Sequence, residues 1–507
     1  MNSAQLTDAF TQLEEVQGQL ISVVTTFHDA CMTLYQAAIK PKDDGASQTC
    51  LDFELVQLAD RLSPLSVAEH KLRESLAFLC RTRNTSQSIV PINKLPAEIL
   101  SRVFECVHSQ QDCVDNINVD LRLSPLAVLP SVCASWRQVA LDTPPLWTHL
   151  DFFGENGSYS TSRITLWLQR ARHAPLHLHF KRYRFFEDEG LTTETGNMLS
   201  RAGSFTFESE SSESLFKETL DLYNKNGRSD RLKAITIRTN YWHSEISEHF
   251  NWSCFVPSSL TTLKLFHSSN RITPSLDELM TLLSRTTNLR TLIVRAVSII
   301  SGQNKSYPEI SLPNLEYFAS YPTNSTRRDY LGVTKRLLQS IIPGACELEA
   351  WIDMGLPADE EHDSAIRKFL ERARVTRLHI GYFNHGDELR LARYLDYLPE
   401  LQVLSMDFNG EQTSNILAAL ISLDEAQSYR PRCPKLHTLR LSEARIIPQS
   451  QDQLKKIVEC HDLKRVVLGY GANFINEDGA YNNSLEWIRG HVPNVESSGV
   501  SWFEFNV

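Results

Sequence analysis

The chain has 507 residues, a net charge of -10 at pH 7 and an apolar fraction of 42%. A chain of this length is expected to build two or three structural units rather than one core. Its acidic balance argues against a general nucleic-acid or membrane-surface binder. The N-terminus is polar, and no apolar run reaches about 18 residues, so neither a secretory signal nor a membrane span is predicted.

Ten cysteines are scattered between Cys31 and Cys460, and none forms a C-x-x-C pair. Scattered cysteines in a large chain usually act as small buried hydrophobes, whereas a zinc site needs closely spaced ligands. We therefore expect a reducing compartment, cytoplasmic or nuclear. His177 and His179 share one face of a predicted strand, but the sequence suggests no third ligand. No metal site and no cofactor is predicted.

Residues 1–88 are predicted to form a helical leader. Apolar residues recur there every three or four positions, in a first stripe made of Leu6, Phe10, Leu13, Val16, Leu20, Val23, Phe27, Cys31, Leu34 and Ala38. A second stripe, from Leu51 to Leu62, is expected to end at Ser63-Pro64, and a third runs from Ala68 to Leu79. Two interpretations stay open: a coiled-coil dimerisation segment, or a helical hairpin that folds on itself or on the next module.

Residues 89–150 contain a two-part helical motif. Its first half begins with Leu95-Pro96-Ala97-Glu98-Ile99-Leu100, and its second half runs from Val132-Cys133 through Trp136-Arg137 to Pro144-Pro145-Leu146-Trp147. Pro96 stands where proline is favoured, in the first turn of a helix. The following helix is short and carries a wide apolar surface, so it must meet other helices, a partner protein, or both.

This motif resembles the F-box, a short helical module that docks a substrate receptor onto the Skp-type adaptor of a cullin–RING ubiquitin ligase. The resemblance covers about 55 of the 507 residues. It implies a three-helix module whose core and adaptor contact are formed by Leu95, Pro96, Ile99, Leu100, Phe104, Val132, Cys133, Trp136, Leu146 and Trp147. Residues 108–124 make the connecting loop longer than is usual for this family. The alternative is a small helical linker domain without an adaptor.

Residues 151–507 contain a repeated L-x-x-L-x-L unit with apolar substitutes. Nine copies begin between 26 and 35 residues apart, at Leu232, Leu260, Leu289, Leu315, Leu348, Val375, Leu401, Leu436 and Leu463. Most of these spacings fall in the range of leucine-rich repeats. We therefore predict a leucine-rich-repeat-like α/β solenoid with a parallel sheet on its concave side. Pro175 to Phe180 is predicted to be the first strand, and Ser501 to Val507 a terminal cap. An ordinary α/β domain is the alternative.

In each predicted strand the leucines point into the core, and the residues between them face the groove. These groove positions include Ala350, Ile352 and Met354 in the strand that follows Leu348. Six of the groove positions are basic and only Asp407 is acidic. We hypothesise that the groove binds an acidic or phosphorylated protein segment, with candidate residues Arg238, Lys264, Arg295, Tyr317, Arg377, His379, Arg440 and Arg465. The alternative is that so few charged positions carry no meaning.

The motifs of nucleotide-binding loops, zinc proteases and serine hydrolases are absent from the sequence. The chain is therefore predicted not to be an enzyme. The F-box resemblance, together with the repeats, implies instead the substrate-recognition subunit of an SCF-type ubiquitin ligase. Its expected partners are the Skp-type adaptor, the cullin–RING ligase and an unknown protein substrate, with no nucleic acid and no membrane. The alternative function is a non-ligase leucine-rich-repeat scaffold. A hydrolase or transferase with an unrecognised site is a third class.

Overall fold

The computed structural model describes residues 3–39, 45–86, 88–109, 125–153, 161–181, 198–209, 219–221, 223–224, 231–239, 252, 258–266, 274–295, 307–321, 327–354, 359–381, 387–408, 416–423, 428–474 and 483–497. The chain divides into two compact units, Met1–Pro96 with Cys133–Ser135, and Ala97–Val132 with Trp136–Val507. None of the described helices combines the length and the apolar content that a membrane span requires.

The described helices are α1 (Ser3–Ile39), α2 (Gly45–Thr85), α3 (Ala97–Ser109), α4 (Pro125–Val132), α5 (Ala134–Leu141), α6 (Thr161–Arg170), α7 (Leu276–Arg285), α8 (Arg327–Ser340), α9 (Glu360–Arg372), α10 (Glu388–Leu395), α11 (Pro448–Cys460) and α12 (Asn483–His491). Short 3-10 helices span Pro91–Lys94, Pro144–Trp147 and Ile416–Leu420.

The first unit contains the two long helices of the leader. The predicted end of the first stripe is close to the observed end of α1, because Ile39 precedes Pro41. The predicted helix end at Ser63-Pro64 is wrong, because α2 continues through Pro64 for 41 residues. A proline inside a helix removes one backbone hydrogen bond and often ends or bends the helix, which is why the sequence pattern placed a boundary there. The second and third stripes therefore belong to one helix.

The second unit contains one large parallel sheet. Its strands in the described part of the chain are β1 (His149–Phe153), β2 (Leu176–Lys181), β3 (Ala202–Ser209), β4 (Ala234–Thr239), β5 (Thr262–Phe266), β6 (Thr291–Arg295), β8 (Tyr317–Tyr321), β10 (Leu348–Asp353), β11 (Val375–Gly381), β12 (Val403–Asp407), β15 (Thr438–Ser442), β17 (Arg465–Leu468) and β19 (Asn494–Ser497). Neighbours in the sheet follow chain order, and every pair between neighbours is parallel.

Among the described residues, three small two-stranded sheets accompany it: β7 (Ile310–Leu312) with β9 (Ile341–Pro343), β13 (Ile421–Leu423) with β14 (Tyr429–Pro431), and β16 (Arg445–Ile446) with β18 (Asn473–Phe474). Each of the nine predicted repeat copies coincides with a strand of the large sheet, which confirms the prediction of a leucine-rich-repeat-like parallel sheet. The predicted first strand is β2. The predicted cap at Ser501 to Val507 lies outside the described residues.

Sequence reasoning missed three strands of the large sheet. β1 spans the predicted boundary at residue 150 between the F-box-like motif and the repeats, while β3 uses Phe205 and Phe207 where the repeat pattern has leucines. β19 has only four residues and one large apolar side chain, Val495. A search for leucine spacing cannot find such strands, because their place in the sheet depends on pairing with a neighbour.

The leucine positions of successive strands lie in register and form the core. Leu263, Leu292 and Phe318 are consecutive members of one such row, and none of them is exposed to solvent. Helices between the strands cover this face: α7, for example, buries Leu279 and Leu283. A capping box fixes the start of α7. The hydroxyl of Ser275 accepts a hydrogen bond from the backbone N–H of Glu278, and the carboxylate of Glu278 accepts one from the backbone N–H of Ser275.

Candidate functional site

The interior of the F-box-like motif is built from large side chains of α3 and α5 and from the Pro144–Trp147 turn. Phe104 is fully buried, and its ring centroid lies 5.0 Å from that of Trp136. Leu100, Leu146 and Trp147 are also buried, and the indole Nε1 of Trp147 donates a hydrogen bond to the carbonyl oxygen of Ala140 at 2.8 Å. These contacts hold α3 firmly, because a buried aromatic cluster resists repacking.

A second apolar side of α3 faces solvent. Ile99, Val103 and Val107 follow one another at intervals of four residues, which places them on one face of the helix. Their exposed fractions are 49%, 39% and 42%. On α4, which packs against α3, Val128 and Val132 are exposed in the same way. Exposed apolar side chains in such concentration are typical of surfaces that bind another protein.

The residues that the F-box resemblance implied differ in their exposure to solvent. Leu95, Pro96, Ile99 and Val132 are exposed, and Cys133 and Trp136 are half-buried. Leu100, Phe104, Leu146 and Trp147 lie in the interior, where they form part of the core of the motif.

The predicted contact set omitted three exposed residues, Val103, Val107 and Val128. The spacing of four residues from Ile99 through Val103 to Val107 is the signal that could have identified the α3 residues as one surface.

The face of the sheet opposite the leucines, here called the non-leucine face, carries the predicted groove residues. The structure corrects one strand: a register irregularity between Leu348 and Glu349 puts Glu349, Trp351 and Asp353 on this face. Ala350 and Ile352, predicted there, lie instead in the leucine rows. Acidic residues on this face therefore come from β10 and from the three strands that the sequence did not predict, β1, β3 and β19. They are Asp151, Glu208, Glu349, Asp353 and Glu496. The basic groove seen in the sequence is therefore balanced by carboxylates.

Glu349 is the centre of one polar cluster on the non-leucine face. Its carboxylate accepts hydrogen bonds from Arg377 Nη1 and His379 Nε2, both at 3.0 Å, and from Trp351 Nε1 at 3.4 Å. Burial favours the neutral carboxyl, but these donors prevail and lower the pKa of Glu349 to about 2. Burial also lowers the pKa of His379, which stacks on Trp351 with ring centroids 4.0 Å apart. Both pKa shifts agree with a neutral His379 that donates a hydrogen bond to an ionised Glu349.

Arg377 belongs to a group of three arginines on β11, β15 and β17. The pKa of Arg440 is lowered by burial and by the neighbouring charges of Arg465 and Arg377. Arg465 is itself paired with Glu496 at 2.6 Å. The group therefore consists of three neighbouring positive charges, with the carboxylates of Glu349 and Glu496 at its edges. An anionic group placed between the arginines would relieve their repulsion.

The middle of the non-leucine face is apolar. Phe266, Ile293, Ala319 and Trp351 form a buried cluster, and Tyr317 packs against it. The guanidinium of Arg238 lies 5.2 Å from the ring centroid of Phe266. Arg238, Lys264 and Arg295 are half-buried, so among the predicted groove residues Arg377 offers the most accessible charge.

A second polar cluster joins the first strands. Asp151 Oδ1 accepts from His149 Nε2 at 2.7 Å and from His179 Nδ1 at 2.9 Å, and Glu208 lies 3.7 Å from the other nitrogen of His179. Burial disfavours the charged forms of Asp151 and His179, but the hydrogen bonds and opposite charges of their partners have the larger effect. The pKa of Asp151 is therefore lowered and the pKa of His179 is raised.

The expectation that His179 has no third ligand near it is wrong, because the missed strand β1 supplies His149 and Asp151. The donor atoms of His149, Asp151 and His179 lie within 4.8 Å of one another, a spacing at which they could hold a divalent cation. In the structure the same atoms satisfy one another by hydrogen bonding.

Comparison with known proteins adds the following. A family model described as F-box-like matches residues 92–153. No curated protein matches the chain. Among solved structures, the leucine-rich repeat-containing protein LegL7 from Legionella pneumophila is similar, with 11% identity, coverage of 68% of this chain and 97% of that chain, and a TM-score of 0.35. Residues 92–153 thus form an F-box-like domain, and the parallel sheet that extends to residue 497 carries the leucine rows of a leucine-rich-repeat-like protein.

Proposed function

We propose that this chain is a substrate-recognition subunit of an SCF-type, cullin–RING ubiquitin ligase. In this role the F-box-like domain binds a Skp-type adaptor, and the non-leucine face of the sheet binds a protein substrate. The chain contributes binding rather than catalysis, because substrate lysines need only be held near a ubiquitin-charged enzyme of the partner complex. The proposal includes a cytoplasmic or nuclear location.

The single observation that carries the proposal is the exposed apolar side of α3. Covering Ile99, Val103 and Val107 with a partner helix would stabilise the complex by about 1 kcal/mol for each side chain, since each is roughly half exposed. The adjoining side of α3 is fixed by the buried Leu100 and by Phe104, whose ring packs on Trp136, so little conformational entropy is lost when a partner binds. A rigid apolar helix face is the arrangement that helix-in-groove recognition uses.

The adaptor interaction is tested with a double variant, Ile99→Glu with Val103→Glu. Two charges in the middle of an apolar interface should weaken adaptor binding at least about 100-fold in a titration with purified adaptor. Leu389→Glu is the matched control, because Leu389 is a 70% exposed leucine on α10. The unfolding midpoint should stay unchanged in both variants.

If the wild-type chain does not bind the adaptor, or if the double variant binds it normally, the ligase role is wrong. The scaffold alternative then gains support from any protein partner that the sheet retains.

The substrate side is tested by reversing the charges of the arginine group with Arg377→Glu, Arg440→Glu and Arg465→Glu. Binding of acidic and phosphorylated peptides should fall and lose its dependence on salt, because the attraction is between opposite charges. Arg172→Glu serves as the control, since the side chain of Arg172 is 58% exposed and lies outside the sheet. Unchanged peptide binding by the triple variant would remove the arginine group from the proposal and leave the adaptor interaction untouched.

A further inference from the structure

α2 carries one continuous heptad seam, apolar except at Glu69, that only the structure makes visible. Leucine stands at every seventh position, at Leu51, Leu58, Leu65, Leu72 and Leu79. Between them, Leu55, Leu62, Glu69 and Leu76 occupy the other seam position of each heptad. Since α2 is continuous from Gly45 to Thr85, all of these positions lie along one side of one helix. Pro64 falls at a position outside the seam, where its ring does not interrupt the row of leucines.

α1 carries a second seam with the same period. Its positions are Leu6, Phe10, Leu13, Gln17, Leu20, Val24, Phe27, Cys31, Leu34 and Ala38. With Gln17 and Val24 as seam positions, and Val16 and Val23 of the first stripe beside them, the intervals alternate between four and three residues, the 3.5-residue period of a left-handed coiled coil. A helix that only covers a globular core follows the 3.6-residue period instead, and over this length its apolar side would drift away from a strict heptad.

The seam side chains that the structure describes are exposed or half-buried in the single chain. On α1, Phe10 is 59% exposed and Val24 is 55% exposed; on α2, Leu65 and Leu76 are 46% and 54% exposed. A hairpin in which α1 and α2 pack seam to seam would bury these residues, so the structure does not have that arrangement. The leader thus presents two apolar seams that need a partner helix of matching period.

We propose that the partner is a second copy of this chain, and that the leaders form a parallel, in-register homodimer. Pairing of identical helices aligns each seam leucine with its own counterpart and places Gln17 opposite Gln17, a polar layer of the kind that sets register in such dimers. The positions that flank the α1 seam do not oppose this pairing, because they are almost all uncharged: Thr7, Ala9, Glu14, Val16, Ile21, Val23, His28 and Ala30. On α2, Glu69 accepts from Arg73 at 2.5 Å, which moderates its charge in the seam.

The area of the two seams matches what a stable dimer needs. The α1 seam is about 48 Å long and the α2 seam about 42 Å, at 1.5 Å per residue. With helices packed about 9 Å apart, the two strips together offer roughly 800 Å² per partner. That is about the area that each protein contributes to a specific, stable interface. This inference does not depend on the proposed ligase function.

The first test measures the mass of the full-length chain by light scattering at about 10 µM. The expected mass is twice the 57.8 kDa of the chain. Leu13→Glu with Leu20→Glu in α1, or Leu65→Glu with Leu72→Glu in α2, should each shift the mass toward the monomer. The controls are Met32→Glu and Val67→Glu, which alter exposed residues on the same helices outside the seams and should leave the dimer intact.

The second test uses Cys31, a free thiol at a seam position of α1. In a parallel, in-register dimer the two Cys31 thiols face each other, so mild oxidation with diamide should join them in a disulfide; the diamide takes up the two electrons and two protons that the thiols lose and is reduced to its hydrazine. Cys31→Ser should abolish the cross-link and Cys80→Ser should not. A monomeric wild-type chain, seam variants that remain dimeric, or a dimer without the Cys31 cross-link would each overturn the proposal, the last by indicating an antiparallel pair.

Discussion

The parallel sheet and the helical leader both repeat leucine at regular intervals, yet their leucines end in opposite environments. In the sheet, Leu292 and Leu404 are completely buried, because the strands on either side and the helices behind them come from the same chain. In the leader, Leu72 is 42% exposed. A periodic pattern thus shows which side of an element is apolar, whereas the rest of the fold decides what covers it.

The F-box-like domain combines both environments, because α3 has one buried apolar side and one exposed apolar side. Phe104→Ala should therefore lower the free energy of unfolding by about 4 kcal/mol, since it leaves a cavity beside Trp136. Ile99→Ala, on the exposed side, should lower it by less than about 1 kcal/mol. Urea denaturation of both variants measures the difference. Equal losses would mean that Ile99 is as well packed as Phe104, and would remove the docking surface.

The contrast between the sheet and the leader is sharpened by one truncation in each. Leu404→Ala should lower the unfolding free energy of the sheet by about 3 kcal/mol, because Leu404 lies between Leu378 and Leu439 in a leucine row. Leu72→Ala should leave the unfolding of the sheet unchanged within about 0.5 kcal/mol. Leu389→Ala, at an exposed site within the repeat region, is the control for truncation itself. A large effect of Leu72→Ala would show that the leader and the sheet unfold together.

Acid sensitivity separates the polar cluster of the sheet from its apolar rows. The pKa of Glu349 is lowered from an unfolded value near 4.3 to about 2. Its stabilising effect is therefore fully present above about pH 4.5 and is lost as the pH falls through about 2, amounting to roughly 2 kcal/mol. His379, whose pKa is lowered by burial, acts in the same direction from about pH 6.5 downward.

Glu349→Gln should flatten the stability profile between pH 4.5 and 2, as measured by urea denaturation at several pH values. Leu404→Ala is the comparison, because it should lower the whole profile without changing its slope. An unchanged slope in Glu349→Gln would assign the acid sensitivity to other carboxylates.

Sequence reasoning was most successful where one strong local pattern repeats. The nine leucine-based copies all became strands, because the spacing of the leucines reports directly which side of each strand is buried. The leucine pattern did not identify β3, where phenylalanines replace leucines. It also assigned Glu349 to the wrong face, because a register irregularity exchanges the two faces of β10. The cluster around Asp151 could not be foreseen either, since its members come from separate strands whose pairing the sequence does not state.

The amino-acid sequence by itself determined the kinds of element in this protein, since apolar period and helix-starting residues are local properties of the chain. It also determined the F-box-like motif, because Leu95-Pro96 and Trp136-Arg137 are readable as residues. Only the tertiary structure decided that Phe104 is interior while Ile99 and Val103 are exposed, and that Arg377 meets Glu349. The reason is physical: burial and ion pairing depend on which distant residues become neighbours, and register and packing fix that only when the whole chain has folded.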